Sequence, residues 1–208
     1  IDWLTDLGDL SGLKLTMRDS TEAAIPFSVI GKRLRSLKVG DAEKTSDEIL
    51  FNAETLTVAG EAIEEIDARN ASSIRGKLDL QKCPRTREIY TSGTSLTSVI
   101  PPVGGRVTTL QLPDTLQDLV LVNLNLLQPE GLDITDTALA NIRGLYINSC
   151  QHIDPIQLLQ RIYDTPNNKL TGIGLVWKGW LIDDDGSALR MFGKIAEKAG
   201  IDGGYSGV

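Results

Sequence analysis

Short runs of the form apolar, any residue, apolar recur along the chain. They stand at Leu37-Lys38-Val39, Leu56-Thr57-Val58, Leu78-Asp79-Leu80 with Cys83, Leu119-Val120-Leu121 with Leu124, and Leu145-Tyr146-Ile147 with Cys150. A weaker copy lies at Ser98-Val99-Ile100. A second set falls about midway between these: Ile66-Asp67-Ala68, Ile89-Tyr90-Thr91, Leu110-Gln111-Leu112 and Leu132-Asp133-Ile134. The spacing is roughly 19 to 26 residues, the range of repeat proteins whose units stack. Period-two alternation points Leu78 and Leu80 to one side of a strand and Asp79 to the other. One such coil cannot bury its own apolar residues. Coils stacked about 4.8 Å apart pair their strands and share a continuous core. The expected fold is therefore mainly β with flanking helices (α+β), a solenoid of about five to six coils. Each coil holds two short strands on opposite sides of a flattened spiral.

Turn-forming residues punctuate the runs: Gly60, Gly93, Pro101-Pro102, Gly104-Gly105, Pro113-Asp114 and Pro129-Glu130-Gly131. Pro101-Pro102 cannot continue a central strand and predicts a corner. A β-sandwich also shows short strands, but it favours tight hairpins. The two Asp-Gly pairs here, Asp185-Gly186 and Asp202-Gly203, both lie past the last expected strand.

The ends differ from the middle. Residues 1–36 carry Leu4, Leu7, Leu10, Leu13, Leu15, Ile25, Phe27, Val29 and Ile30 without the repeat pattern and are expected to form an N-terminal cap. Residues 37–153 form the solenoid, 154–202 a helix–strand–helix C-terminal cap, and 203–208 a linker toward a further region. Asp154-Pro155 starts a helix, Ile156, Leu159, Ile162 and Tyr163 share one face, and Thr165-Pro166 stops it. Lys169 to Trp177 predicts a strand with Ile173, Leu175 and Trp177 on one side. A second helix is expected from about Ser187, with Leu189, Phe192, Ile195 and Ala199 as its apolar stripe and Gly200 at its end.

Composition narrows the partners. The 208 residues are 41% hydrophobic and 24% charged, with a net charge of −7. That is apolar enough to fold. The acidic balance argues against nucleic acid and against anionic lipid. No apolar run reaches the roughly 18 residues that span a bilayer. The chain begins at Ile1 without a leader, as expected of a fragment or processed product.

Candidate chemistry is thin. Cys83 and Cys150 are too few for a disulfide scaffold, and equivalent positions about three coils apart place them roughly 14 Å apart, too far to bridge. His152, the one histidine, stands near Ser149 and Cys150, but a core-facing Cys150 makes a poor nucleophile. Asp183-Asp184-Asp185-Gly186-Ser187 hints at a calcium loop. Its aspartates are consecutive, and Phe192 stands where such a loop needs Glu, so a helix-starting acidic run fits better. Gly104-Gly105 lacks the lysine of a phosphate loop. Asp133 and Asp136 are the nearest candidates for a hydrolytic carboxylate pair. Glu61, Glu64, Glu65 and Asp67 fit a solvated acidic face. Trp177 and Trp180 fit a seal on the last coil or an aromatic recognition patch. No catalytic residue, cofactor or metal is expected.

Leu78-Asp79-Leu80-Gln81-Lys82-Cys83 and Leu145-Tyr146-Ile147-Asn148-Ser149-Cys150 fit the pattern L-x-L-x-x-N/C. With the stretches from Arg87 to Leu96, Leu110 to Leu116 and Leu170 to Ile173, the chain resembles divergent leucine-rich-repeat proteins encoded among virion structural genes of phages of gut bacteria. The resemblance covers residues 34 to 180. It implies a non-catalytic virion module, in a tail or appendage, within a homo-oligomeric assembly and without membrane insertion. Its partners are then other virion proteins or a host-surface receptor. The alternative is a secreted bacterial adhesin of the same repeat class. The candidate contact surface is the outward ladder Thr57, Asp79, Val120 and Tyr146, extended by Trp177 and Trp180.

Overall fold

The computed structural model describes residues 12–14, 25–39 and 53–176, with residues 190, 193–194 and 197–198 further on. Thirteen strands and two helices follow in chain order. The strands are β1 (Gly12–Lys14), β2 (Ile25–Ile30), β3 (Ser36–Lys38), β4 (Ala53–Ala59), β5 (Glu65–Asp67), β6 (Arg75–Asp79), β7 (Glu88–Tyr90) and β8 (Ser95–Ile100). They continue as β9 (Thr109–Gln111), β10 (Asp118–Val122), β11 (Leu132–Asp133), β12 (Gly144–Asn148) and β13 (Gly172–Val176). Helix α1 (Asp136–Asn141) lies between β11 and β12, and α2 (Pro155–Asp164) between β12 and β13.

The chain alternates between two sheets. One has the order β1-β3-β5-β7-β9-β11 and the other β13-β12-β10-β8-β6. β2 pairs with β4, which packs beside β6. Every pairing is parallel, and neither sheet closes into a barrel. Residues 12–14, 25–39 and 53–176 are thus mainly β, with two α-helices among them.

Register explains the core. Leu78, Val99, Leu119, Leu145 and Ile173 stand opposite one another across successive strands of the five-stranded sheet. Leu13, Leu37, Ile66, Ile89, Leu110 and Leu132 form the matching row in the six-stranded sheet. Leu37, Ile66, Leu78, Ile89 and Leu110 are wholly buried, and one continuous cluster joins the two rows from Leu37 onward. Parallel strands in such a stack are shielded on their inner face, so their apolar side chains leave water together.

Several expectations change here. Leu37-Lys38-Val39 was grouped with Leu56 and Leu78, but Leu37 pairs with Ile66 in the other sheet. The local pattern is the same for both sheets, so it cannot say to which one a strand belongs. At Ser98-Val99-Ile100 the phase is set by a bulge: pairing jumps from Leu96 to Ser98 opposite consecutive residues Gly76 and Lys77. The extra residue, Thr97, turns Val99 inward and Ile100 outward. In the stretch expected to be a patternless cap, β1 and β2 extend the pairing, with Leu13 opposite Leu37 and Phe27 opposite Leu56.

Backbone groups at the corners are satisfied by side-chain hydroxyls reaching one winding along. Ser95 Oγ donates to the Ser72 carbonyl at 2.7 Å, Thr91 Oγ1 to that of Gln111 at 2.7 Å and Thr86 Oγ1 to that of Ile63 at 3.2 Å. Thr86 and Thr91 are buried, and these bonds remove the cost of desolvating them; the buried Thr94 Oγ1 donates within its own turn, to the Thr91 carbonyl at 2.7 Å. Asn123 and Ser149 follow β10 and β12 at equivalent points and share the left-handed backbone, each with φ 53. The Asn123 amide donates to the Asn148 carbonyl at 2.8 Å, locking the corner to the next strand.

Helix α2 begins and ends as its sequence dictates. Asp154 accepts from the amides of Ile156 and Gln157, Pro155 fills the first turn, and Thr165 caps the end. Leu158, Leu159 and Ile162 are buried, while Ile156 and Tyr163 are partly so. Helix α1 was not expected. Thr135 caps it by accepting from the Ala138 amide at 3.1 Å, and Ala138 and Leu139 bury its inner side. It accounts for the long interval between Leu119 and Leu145. Residues 190, 193–194 and 197–198 are helical, as expected after Ser187, whereas Leu189, Phe192, Ile195, Ala199 and Gly200 lie outside the described residues.

Candidate interaction surface

Alternation gives the five-stranded sheet an outer face. Asp79 stands opposite Ile100, Val120 opposite Tyr146, and Tyr146 opposite Gly174. Since Leu119 is opposite Val99, Val120 continues this row beside Ile100. A second row runs in register from Lys77 through the buried Ser98, then Asp118 and Gly144, to Gly172. Of the ladder expected from sequence, Asp79, Val120 and Tyr146 come together on this face. Thr57 is exposed on the neighbouring β4. Trp177 and Trp180 lie outside the described residues.

The two rows enclose an open trough of about 560 Å³. Ile100, Val120 and Tyr146 form its apolar shelf, and Ser98, Asp118 and Lys77 its polar side. Tyr146 is 37% exposed. Two glycines shape the arrangement. A Cβ on Gly144 would meet Asp118 Oδ1 at 2.7 Å, and one on Gly174 would meet the Tyr146 ring at 2.7 Å. Both side chains therefore lean across the next strand into space that only glycine leaves. Lys77 is held by Asp79 at 3.1 Å. The Asp79 carboxyl is raised by partial burial, but the Gln81 amide and Lys77 more than offset this and keep it below the usual range.

Ile100, Ser98, Asp118 and the two glycines were missed as site residues. Asp118 was within reach, because it stands two positions before Val120 and so shares its side of β10. The role of a glycine appears only once the neighbouring strand is known.

The six-stranded sheet presents a different outer face, built of polar side chains tied to one another. Lys38 Nζ lies 3.0 Å from Glu65 Oε1, and Ser36 Oγ donates to Glu65 Oε2 at 2.7 Å. Tyr90 OH donates to Glu88 at 2.9 Å, and Gln111 Nε2 to Asp133 Oδ2 at 2.8 Å. Asp67, grouped by sequence with a solvated acidic face, is only 3% exposed. Arg69 grips it through Nη2 at 2.7 Å and Nε at 2.9 Å, with its guanidinium 4.6 Å from the Tyr90 ring centre. Burial raises the Asp67 carboxyl, but the bonds and charge of Arg69 outweigh that and hold it below the ordinary carboxylate range. Burial, then the bond to Glu88, push the Tyr90 phenol up to about 12.

The remaining candidates do not converge. Cys150 is buried beside the Asn148 carbonyl while His152 is exposed. Cys83 and Cys150 are free thiols at equivalent corners, separated by β8 and β10 in the sheet order. Burial drives the Cys83 thiol to about 11 and the Cys150 thiol upward as well. Asp133 is engaged by Gln111, and Asp136 opens α1. Gly104 takes a turn conformation at φ 65. Asp183 to Ser187 lie outside the described residues. Among the described residues, no cluster of His, Cys, Asp and Glu could hold a metal ion, and no helix is long and apolar enough to cross a membrane. Comparison with protein-family models, curated proteins and solved structures finds no match to this chain.

Proposed function

We propose that this chain is a non-catalytic structural and interaction module of a phage particle, sited in the tail or an appendage. In this reading the two-sheet winding is a leucine-rich-repeat-like solenoid of about five to six coils. Cys83, Leu124 and Cys150 then fill the N/C position of the L-x-L-x-x-N/C unit, and all three are buried. The observation that carries the reading is the row Asp79, Ile100, Val120 and Tyr146. It stands in register across adjacent strands and faces away from the core. Because its spacing is fixed by main-chain pairing, little side-chain or loop ordering is needed when a partner docks. The partner is another virion protein or a host-surface receptor, and the module works in a homo-oligomeric assembly. The virion assignment rests on the family resemblance of the repeat motifs.

The test is quantitative mass spectrometry of density-banded particles from the source lysate. The chain is expected to co-band with the particles in fixed proportion to their other structural proteins. Recovery only in particle-free medium or on the bacterial wall overturns the virion reading and favours a secreted adhesin.

A further inference from the structure

The trough beside Tyr146 has a chemistry that selects among partners. Its volume, about 560 Å³, falls within the roughly 300–1,000 Å³ of small-ligand sites. A protein partner covers about 800 Å² on each side, far more than this depression offers. An added peptide strand needs unpaired main-chain groups at a sheet edge. Here the floor is the face of a sheet whose strands already pair with one another on both sides, β10 with β8 and β12, and β12 with β10 and β13. A ligand must therefore be held by side chains.

Those side chains are specific in kind. The one cation in the lining, Lys77, is half exposed and shares its charge with Asp79, and Asp118 adds a carboxylate, so the trough offers phosphate and other anions no net positive charge. Asp118 makes no ion pair or hydrogen bond with another side chain among the described residues and is exposed, a ready acceptor for hydroxyl donors. Ser98, only 9% exposed, adds a hydroxyl to the trough lining in the same row, one strand away. On the other side Tyr146 offers an aromatic surface beside Ile100 and Val120. A flat apolar face next to hydroxyl-binding groups matches a sugar ring, which has C–H groups on its faces and hydroxyls around its rim. The glycine seats under both key groups strengthen the match. Gly144 lets Asp118 lean into the trough, and Gly174 lets the Tyr146 ring lie across β13.

Resting on the display reading above, we propose that the trough on the outer face of β8, β10 and β12 binds a neutral saccharide unit of a surface glycan. The sugar packs against Tyr146, and its hydroxyls bond to Asp118 and Ser98.

The test uses the labelled full chain on a printed array of neutral and acidic oligosaccharides. Binding to neutral sugars is expected, and Tyr146→Ala and Asp118→Asn are each expected to weaken it about tenfold or more, the worth of a lost stacking or charged hydrogen-bond contact. Glu130→Gln, away from the trough, leaves it unchanged, and unfolding midpoints show whether each variant is folded. Gly174→Ala keeps the ring but displaces it, and is expected to weaken binding with Tyr146 still present. No saccharide binding, binding to acidic sugars alone, or indifference to both trough variants overturns the proposal. On host cells, loss of labelling after periodate treatment supports a glycan. Loss after protease but not periodate points to a protein receptor and overturns the saccharide proposal, while the display reading stands. Absence from particles overturns the virion reading without altering the array result.

Discussion

Asp67 shows how a single residue departs from what its neighbours in sequence suggest. The run Glu61, Glu64, Glu65, Asp67 reads as solvated, yet Asp67 is buried and becomes affordable only because Arg69, two residues on, supplies both side-chain and main-chain donors. A charge-assisted network of this kind is worth about 2 kcal/mol when one partner is removed. Asp67→Ala is accordingly expected to lower stability by about 2 kcal/mol in urea unfolding at pH 7. The folded carboxyl is held below its ordinary value of 3.8, so its contribution is present above that pH and lost as pH falls through the lower folded value. The gap between wild type and variant should therefore close below pH 3.8; a gap independent of pH contradicts the ion pair. The thiols give a second residue-scale prediction. With Cys83 at about 11 and both thiols buried, alkylation at pH 8 is expected to be far slower in the native protein than in urea. Rapid native labelling of either thiol contradicts the burial described here.

At the scale of elements, legibility tracked the strength of local signals. Helix α2 was readable because Asp154, Pro155, the apolar face and Thr165-Pro166 all agree. Helix α1 was not, because six residues carry too little periodicity and only Ile134 separates its cap, Thr135, from strand β11. The inward residues Leu78, Leu119 and Leu145 followed from alternation alone. Val99 did not stand out, since Thr97 bulges out of register and resets the phase. Leu37 was placed in the wrong sheet because nothing within three residues distinguishes the two. The trough was half legible: Val120 and Tyr146 are middle residues of the repeat, whereas Gly144 and Gly174 matter only through what lies on the adjacent strand. The α2 cap is testable on its own. Asp154→Ala removes the acceptor for two amides and is expected to cost about 1 kcal/mol in thermal or urea unfolding. An unchanged midpoint would mean that other groups satisfy those amides.

Across the described residues, neighbouring parallel strands hide each other's apolar side chains. Hydrogen bonds join residues 19 to 29 positions apart all along the described chain, from Ser36 with Glu65 to Ser92 with Gln111. Each pair of strands is thus tied to the next, and the outer face of the five-stranded sheet takes its spacing from that parallel pairing. That face in turn fixes the spacing between Asp118 and Tyr146, on which the proposed saccharide contact rests. The register of adjacent strands is thus the claim from which the rest follows, and paired cysteines measure it directly. In a background lacking both native thiols, Glu88→Cys with Thr109→Cys places the two sulfurs on opposed residues of adjacent parallel strands. Their Cα atoms lie about 4.8 Å apart, within bridging range. Glu88→Cys with Gln111→Cys is one pleat out of register at about 8 Å, beyond it. The expected result is a near-complete intramolecular disulfide in the first pair and little in the second. Equal bridging of both pairs, or none in the first, contradicts the parallel stack.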